Sequence, residues 1–456
     1  MTQISKEPPG PEGMLAAAGS AAALQAELGV EIGRPVRRKV VQAWSLWDFG
    51  SNAFNTVILT FVFSVYITST VAESELRGTQ VFSNAQAWAG LVIALLAPVV
   101  GSFADRVRNR RLLLSVSTIA VVICMGLLFL VKPEDSYLVL GAMLIAIASV
   151  FAEIATVFYN GMLLQISTPK TYGRISGTAW ALGYLGGVIA LVIALFGFIL
   201  DGGLLGITTD DALNVRSVAL LCALWFLAFA IPIMILAPKE EPSADVSAWN
   251  PVRAYREILA RVVHMWRSER HLLHFFVASA VYRDGLGAVF TFAGVLAANA
   301  YGFPLEKVIY FGIAANVIAG LGVWLTGRID DRLGARTVIV GSLLGIVVLG
   351  SVIVASDAEI VFWVCGLGIA TFVGPVQSSS RTMLARMTSH DTASENFGLY
   401  ATAGRAVSFL APAAFAFFVK VTGEPRMGIV GIMVVLILGL ALFWPLKVPA
   451  QPTAAG

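Results

Sequence analysis

Twelve apolar runs set the limits on this fold. They lie at about 44–71, 85–104, 112–131, 137–160, 176–200, 217–237, 273–299, 308–326, 337–355, 360–380, 398–419 and 427–446. Each is roughly the ~20 residues that a helix needs to cross a bilayer at ~1.5 Å per residue. Lipid offers the backbone no hydrogen-bond partner, so each run must satisfy itself as a helix. Charged residues make up 13% of the 456, about half the share of a water-soluble domain. Mean hydropathy is +0.81. The expected fold is an all-α membrane protein with 12 transmembrane helices.

Six runs fall on each side of the stretch 238–272, and a charged turn marks the same place in both halves. It reads G-S-F-A-D-R-V-R-N-R-R at 101–111 and returns as G-R-I-D-D-R-L-G-A-R-T at 327–337, 226 residues later. Recurrence at half-chain spacing means internal duplication. An aspartate at the end of an apolar run can pair with an arginine or with the positive N-terminus of a helix. Such a contact acts as a latch, made in one conformation and broken in another. Gly101, Asp105, Arg106, Gly327, Asp331, Arg332, Gly334 and Arg336 are therefore candidate gating residues. The plainer reading, a topogenic basic loop, does not account for two copies at this spacing.

Orientation follows from lysine and arginine. With the N-terminus inside, 23 of the 31 basic residues fall in cytoplasmic segments, six in outer loops, and two, Arg283 and Arg405, within runs. That asymmetry predicts a multi-pass protein with both termini in the cytoplasm. The expected divisions are a cytoplasmic tail at 1–40, bundles at 41–237 and 273–447, a cytoplasmic linker at 238–272, and a short tail at 448–456. Within the linker, Asn250 suits an N-cap and Pro251 the first helical position. Val252, Tyr255, Leu259, Val262, Val263 and Trp266 recur at helical spacing, interleaved with Arg253, Arg256, Arg261, Arg267 and Arg270. This is a basic amphipathic helix expected to lie on the inner membrane face.

Several function classes drop out. The net charge is +3, with no aromatic-basic patch for nucleic acid. Cys124, Cys222 and Cys365 are scattered within apolar runs and suggest neither disulfide nor metal site. His264, His271 and His274 lack a carboxylate or cysteine cluster to complete a metal site. No nucleophile constellation implies an enzyme. No G-x-x-x-x-G-K-[ST] motif implies nucleotide-driven pumping, so no cofactor is expected.

Five ionisable residues lie inside the runs: Asp48, Glu153, Arg283, Asp284 and Arg405. Each costs ~2.5–3.5 kcal/mol or more at mid-bilayer unless it faces a partner or a water-filled cavity. Arg283 and Arg405 fall near mid-depth, with Asp48 and Glu153 nearer the cytoplasmic ends of their runs. Neighbours Arg283 and Asp284 point ~100° apart on a helix and should not pair well. Asn52, Asn55, Tyr159, Asn160 and Gln377 are polar companions in the same runs. Together these ten are the candidate substrate-binding or coupling residues. The arginines suit a ligand carboxylate, and Asp48 or Glu153 could meet an amino group or carry protons as coupling ion. Gly183 and Gly187, like Gly404 and Ser408, read as positions of close helix packing.

The duplicated turn with the six-plus-six runs and central loop resembles the major facilitator superfamily. Gly327, Asp331, Arg332, Gly334 and Arg336 match its loop motif. In the first copy Arg108 replaces the second glycine, so a different turn geometry is expected there. Within that superfamily the chain resembles the vacuole-effluxer branch, which includes fungal vacuolar amino-acid exporters and bacterial members. The matching stretches are W-D-F-G-S-N-A-F at 47–54, F-Y-N at 158–160, S-G-T-A-W-A-L-G-Y-L-G-G at 176–187, Y-R-D-G at 282–285, G-P-V-Q-S-S-S-R at 374–381 and N-F-G-L-Y at 396–400. The chain departs from the pattern at Trp47, often tyrosine; near Arg405, often lysine; and at Asn396, often aromatic. The resemblance implies two six-helix bundles around a central cavity lined by the first, fourth, seventh and tenth spans. It implies a monomeric secondary transporter in the plasma membrane, exporting amino acids or similar small polar metabolites by alternating access. The rivals are a sugar or drug carrier of the same fold and a non-transporting membrane receptor or scaffold.

Overall fold

The computed structural model describes residues 38–200, 203–240 and 251–446. The tails expected at 1–40 and 448–456 and the N-cap expected at Asn250 fall wholly or mostly outside the described residues. In chain order the helices are α1 (Arg38–Val71), α2 (Glu75–Val107), α3 (Arg110–Leu130), α4 (Asp135–Ile166), α5 (Tyr172–Ile199) and α6 (Asp210–Leu236). Then come α7 (Pro251–Ser268), α8 (Arg270–Tyr301) and α9 (Leu305–Leu333). The last four are α10 (Ala335–Val354), α11 (Glu359–Arg386), α12 (His390–Thr422) and α13 (Gly428–Phe443). All but α7 correspond to the twelve apolar runs. Among the described residues there is no strand.

The caps explain where helices begin and end. Ser74 accepts a hydrogen bond from Arg77 N (3.4 Å) to start α2, and Asn109 accepts from Leu112 N (3.2 Å) to start α3. The duplicated turns differ as expected. Arg108 sits at φ 50°, ψ 42°, in the left-handed region, whereas Gly334 sits at φ 85°, ψ 152°. Only glycine takes the second conformation readily. A side chain in the left-handed region costs ~1–2 kcal/mol, which the first turn carries at Arg108.

Several spans are irregular; α5, for one, ends in π-helix at Leu195–Ile199. α1 passes into π-helix at Phe54–Phe61 and again at Tyr66–Val71. α12 breaks between Ala393–Ala406 and Leu410–Thr422. Pro412 falls in the first turn of the second piece, where a missing N–H leaves no intrahelical bond unmade.

Two helix pairs make the most extensive approach between the halves, and both approach through glycines. A Cβ on Gly101 of α2 would lie 2.2 Å from the Ser394 carbonyl oxygen of α12, and one on Gly398 would lie 2.3 Å from that of Ala97. On the other side a Cβ on Gly177 of α5 would meet Val323 O of α9 at 2.7 Å, and one on Gly327 would meet Gly173 O at the same distance. Backbones this close leave no room for side chains. Gly183, Gly186 and Gly187 serve α5 in the same way against α1: a Cβ on Gly186 would lie 2.0 Å from Phe49 O. Because successive spans alternate direction, both duplicated turns fall at one end of the bundle, called here the motif end.

α7 packs along α2. Ala254, Ile258 and Met265 are buried, while Tyr255, Leu259, Val263 and Trp266 are exposed. Glu257 pairs with Arg106, and the Tyr255 hydroxyl donates to Leu95 O at 2.9 Å.

One boundary changes the chemistry. The sequence reading ends run ten at 380, which leaves Arg381 in a loop. α11 continues to Arg386 and carries Arg381 into the interior at 5% exposure.

Candidate functional site

The charged residues between the halves fall into three levels. The level farthest from the motif end is a cavity of about 400 Å³, in the ~300–1,000 Å³ range of small-molecule sites. Glu153 of α4 lines it from the N-terminal half. Arg283, Asp284, Gln377, Arg405 and Ser408 line it from the other. Arg405 Nη2 lies 2.9 Å from Glu153 Oε2, an ion pair that bridges the halves. The two side chains keep 40% and 24% exposure, so water reaches both.

The other two charges of the cavity are held differently. The Arg283 guanidinium stacks 3.9 Å from the centre of the Tyr400 ring and donates to Tyr400 O at 3.3 Å. It meets no carboxylate within 4 Å among the described residues. Asp284 turns away and accepts from Ala411 N at 2.7 Å, at the N-terminus of the second piece of α12. That placement suits an anion, because unpaired N–H groups and the helix dipole converge there. Glu153 reaches across from the other half, so the four charges of the cavity cancel. Glu153 also lies deeper than the sequence reading placed it, because α4 runs on to Ile166 and Glu153 is near its middle. Gly404 and Ser408, read as packing positions, line the cavity; a Cβ on Gly404 would sit 3.3 Å from Arg283 Nη1.

The second level centres on Arg381, one helical turn beyond Gln377 toward the motif end. Its Nη1 lies 3.6 Å from Asp48 Oδ2 and donates to Asn160 Oδ1 at 3.3 Å. Nε donates to Ser176 Oγ at 2.8 Å and Nη2 to Ser176 O at 2.9 Å. The rings of Trp44, Tyr159 and Trp180 stand 5.0, 5.6 and 5.6 Å from its Cζ. Tyr159 OH donates to Asp48 Oδ2 at 3.1 Å and stacks on Trp44 at 4.2 Å between centroids. In this arrangement Asp48, Tyr159 and Asn160 thus belong to this closed level and do not line the cavity, with which the sequence reading had grouped them. Asn52 bonds back to Asp48 O at 3.1 Å and packs beside Gly183. Asn55 is exposed on the π-helical stretch of α1.

The third level is the motif end. Asp105 accepts from Ser394 N at 3.0 Å and Glu395 N at 2.8 Å, in the first turn of α12. Arg110, 3% exposed, backs it at 2.6 Å and also donates to Ser394 Oγ and His390 O, each at 2.8 Å. Asp331 accepts from Gly173 N at 2.7 Å and Arg174 N at 3.0 Å, in the first turn of α5. Each aspartate therefore reaches a helix N-terminus in the other half. Its neighbour Asp330 is the buried member of the second turn, 2.8 Å from Thr382 Oγ1 and paired with Arg386. Arg336 caps α13 by donating to Trp444 O at 2.8 Å and Leu446 O at 3.1 Å, and Arg332 is exposed.

Sequence reasoning missed Ser176, Arg381, Arg110, Asp330 and Arg386. A signal for Arg381 existed. The residues after it, T-M-L-A-R-M, continue the helical spacing of apolar positions, which extends run ten past 380.

Comparison with known proteins adds the following. Residues 167–455 match the family described as "Vacuole effluxer Atg22 like", and residues 5–191 match "Major Facilitator Superfamily". An uncharacterized MFS-type transporter, YxiO of Bacillus subtilis (strain 168), is 23% identical over 415 residues, covering 89% of this chain and 94% of that one. Autophagy-related protein 22 of Cryptococcus neoformans is 25% identical over 288 residues, 59% of this chain and 51% of the fungal one. The crystal structure of the human organic anion transporter MFSD10 (TETRAN) superposes with a TM-score of 0.70 at 14% identity, covering 90% of this chain and all of that one. At that identity the likeness concerns the fold, twelve membrane-crossing helices in two bundles.

Proposed function

The chain belongs to the Atg22-like vacuole effluxer family of the major facilitator superfamily, and we propose that it exports a small zwitterion, an amino acid foremost, across the plasma membrane by alternating access. The observation that carries this reading is the cavity between the halves, which offers both signs of charge from opposite sides. Arg283 faces it without a carboxylate partner, and a guanidinium matches a ligand carboxylate in a bidentate way. Glu153 faces it from the other half and can receive an amino group once Arg405 releases it. A ligand that engages both halves interacts differently with their two arrangements, and only such a difference shifts a conformational equilibrium.

With the motif end taken as cytoplasmic, the second and third levels close the inner side and the conformation faces outward. A cysteine placed at Asp210 then reacts with an impermeant thiol reagent from outside, and one placed at Arg267 does not. Glu153 is the proposed proton carrier: Glu153→Gln should abolish proton-driven accumulation and leave substrate exchange intact. The decisive experiment is counterflow of amino acids in proteoliposomes, after a thermal-shift screen of metabolites. Stabilisation by neutral sugars and not by zwitterions, with transport retained in Arg283→Ala, would replace the amino-acid reading with a carrier of uncharged solutes.

A further inference from the structure

Arg381 belongs to the C-terminal half, yet its recognised contacts do not. Among the described residues every acceptor of its guanidinium protons, Asn160 Oδ1, Ser176 Oγ and Ser176 O, lies on α4 or α5. Its carboxylate, Asp48, lies on α1, and its three rings come from α1, α4 and α5. The N-terminal half thus holds a complete box for an organic cation: one carboxylate, three aromatic faces and three oxygen acceptors. A side chain of the other half fills it as a ligand would. Trp180 adds a second observation, because among the described residues its buried Nε1 has no hydrogen-bond partner. That donor remains for an acceptor that the present arrangement does not supply, such as a carboxylate attached to an incoming cation.

We propose that this box is a cation-recognition site of the N-terminal half, and that Arg381 is its tethered occupant while the motif end is closed. The proposal rests on the transporter reading given above and names the chemistry of the same pathway. When the halves part at the motif end, Arg381 withdraws with α11. Asp48, Trp44 and Tyr159 stay together because Tyr159 is stacked on Trp44 and hydrogen-bonded to Asp48, and Trp180 stays with α5 of the same half. The vacated box receives the ammonium or guanidinium group of a solute by charge and by cation–π contact. Solute and Arg381 compete for one place, so a solute bound there holds the motif end open. Release of the solute lets Arg381 return and reclose it. This sets a second station on the pathway, about 10 Å along α4 from Glu153 at ~1.5 Å per residue.

The test uses the full-length protein in lipid nanodiscs with ethylguanidinium, ethylammonium and uncharged ethylurea as probes. Spin labels at Lys170→Cys and Ser389→Cys, both exposed at the motif end, report the separation of the halves. In the otherwise unaltered protein, ethylguanidinium should lengthen that distance and ethylurea should not; ethylammonium shows whether the box prefers a planar or a compact cation. Arg381→Ala should bind ethylguanidinium at least tenfold more tightly than the parent, with ethylurea unchanged. Adding Asp48→Asn or Trp180→Leu to Arg381→Ala should remove the gain. Equal cation affinity with and without Arg381, or a gain that survives both second changes, overturns the proposal. Should Arg381→Ala fail to fold, the distance measurement alone decides: no lengthening at saturating ethylguanidinium overturns it. None of these readouts requires transport, so absence of amino-acid counterflow would refute the transport reading and leave this one standing.

Discussion

Apart from the exposed Arg108–Asp391 contact at the motif end, two ion pairs among the described residues cross between the halves, and both place the carboxylate on the N-terminal half and the arginine on the C-terminal half. Asp48 with Arg381 and Glu153 with Arg405 are alike in polarity and opposite in setting. The first pair keeps 14% and 6% side-chain exposure and is walled by aromatic rings. The second keeps 24% and 40% and opens into the cavity. A charge taken out of water must be compensated fully, whereas one that keeps water can change partners at small cost. Burial therefore suits the first pair to hold the closed conformation, giving up its partner only when the halves part, and suits the second to exchange its partner for a ligand within the present arrangement.

The comparison breaks first on stability. Asp48→Asn leaves Arg381 buried without its carboxylate, and removing one member of a buried pair costs about 3–5 kcal/mol. Glu153→Gln removes a pair in contact with water, worth about 0–1 kcal/mol. Thermal unfolding in one detergent should therefore place Asp48→Asn far below Glu153→Gln. Similar midpoints would mean that the rings around Arg381 do not exclude water and that the two settings are not distinct.

Ligand binding sharpens it next. Arg283→Ala should weaken binding of a carboxylate substrate by about 2–5 kcal/mol and of its amide much less. Arg405→Ala should cost the acid less than Arg283→Ala does, because Arg405 must leave Glu153 before it can bind. Arg405→Lys keeps the charge and should cost less than Arg405→Ala. Calorimetric titration of acid and amide against each protein measures this. Equal losses for both ligands, in folded protein, would make the arginines structural.

The contrast between the levels also marks how far the sequence could be read. The twelve helices were legible because length and hydropathy alone decide what crosses a bilayer. Asp105 and Asp331 were legible as carboxylates in need of a partner, because a carboxylate at the end of an apolar run needs a positive one. Their partners were not, since Ser394, Glu395, Gly173 and Arg174 contribute backbone N–H groups, which carry no side-chain signature. Arg381 was hidden because its helix outlasts its apolar run. A buried arginine that brings its own acceptors from the other half looks, in one dimension, like the basic start of a loop. The pairing of Glu153 with Arg405, 252 residues apart, depends on how the bundles meet, which no local pattern encodes.

The smallest effects should come from the two latches, and they test whether the closed level is held from the motif end. Asp105 and Asp331 each accept two backbone N–H bonds in the first turn of a helix in the other half. Replacing either with asparagine removes the charge and leaves one oxygen to accept, at a cost of about 1–2 kcal/mol in a partly buried helix-terminus contact. The loss falls only on the closed arrangement, so it appears as a roughly tenfold shift toward the open one. Asp105→Asn should shift further than Asp331→Asn. It also loses a close pair with Arg110 at 2.6 Å, whereas Arg386 lies 3.8 Å from Asp331; each arginine keeps a second carboxylate, Glu240 and Asp330 respectively. Cysteine reactivity read at both ends of the bundle measures the shift, with increased labelling at the motif end in both variants. If neither variant changes accessibility, the turns orient the chain in the membrane and the Asp48–Arg381 level alone keeps the halves closed. If Asp331→Asn shifts as far as Asp105→Asn, the buried arginine behind the first latch contributes nothing that the exposed turn of the second lacks.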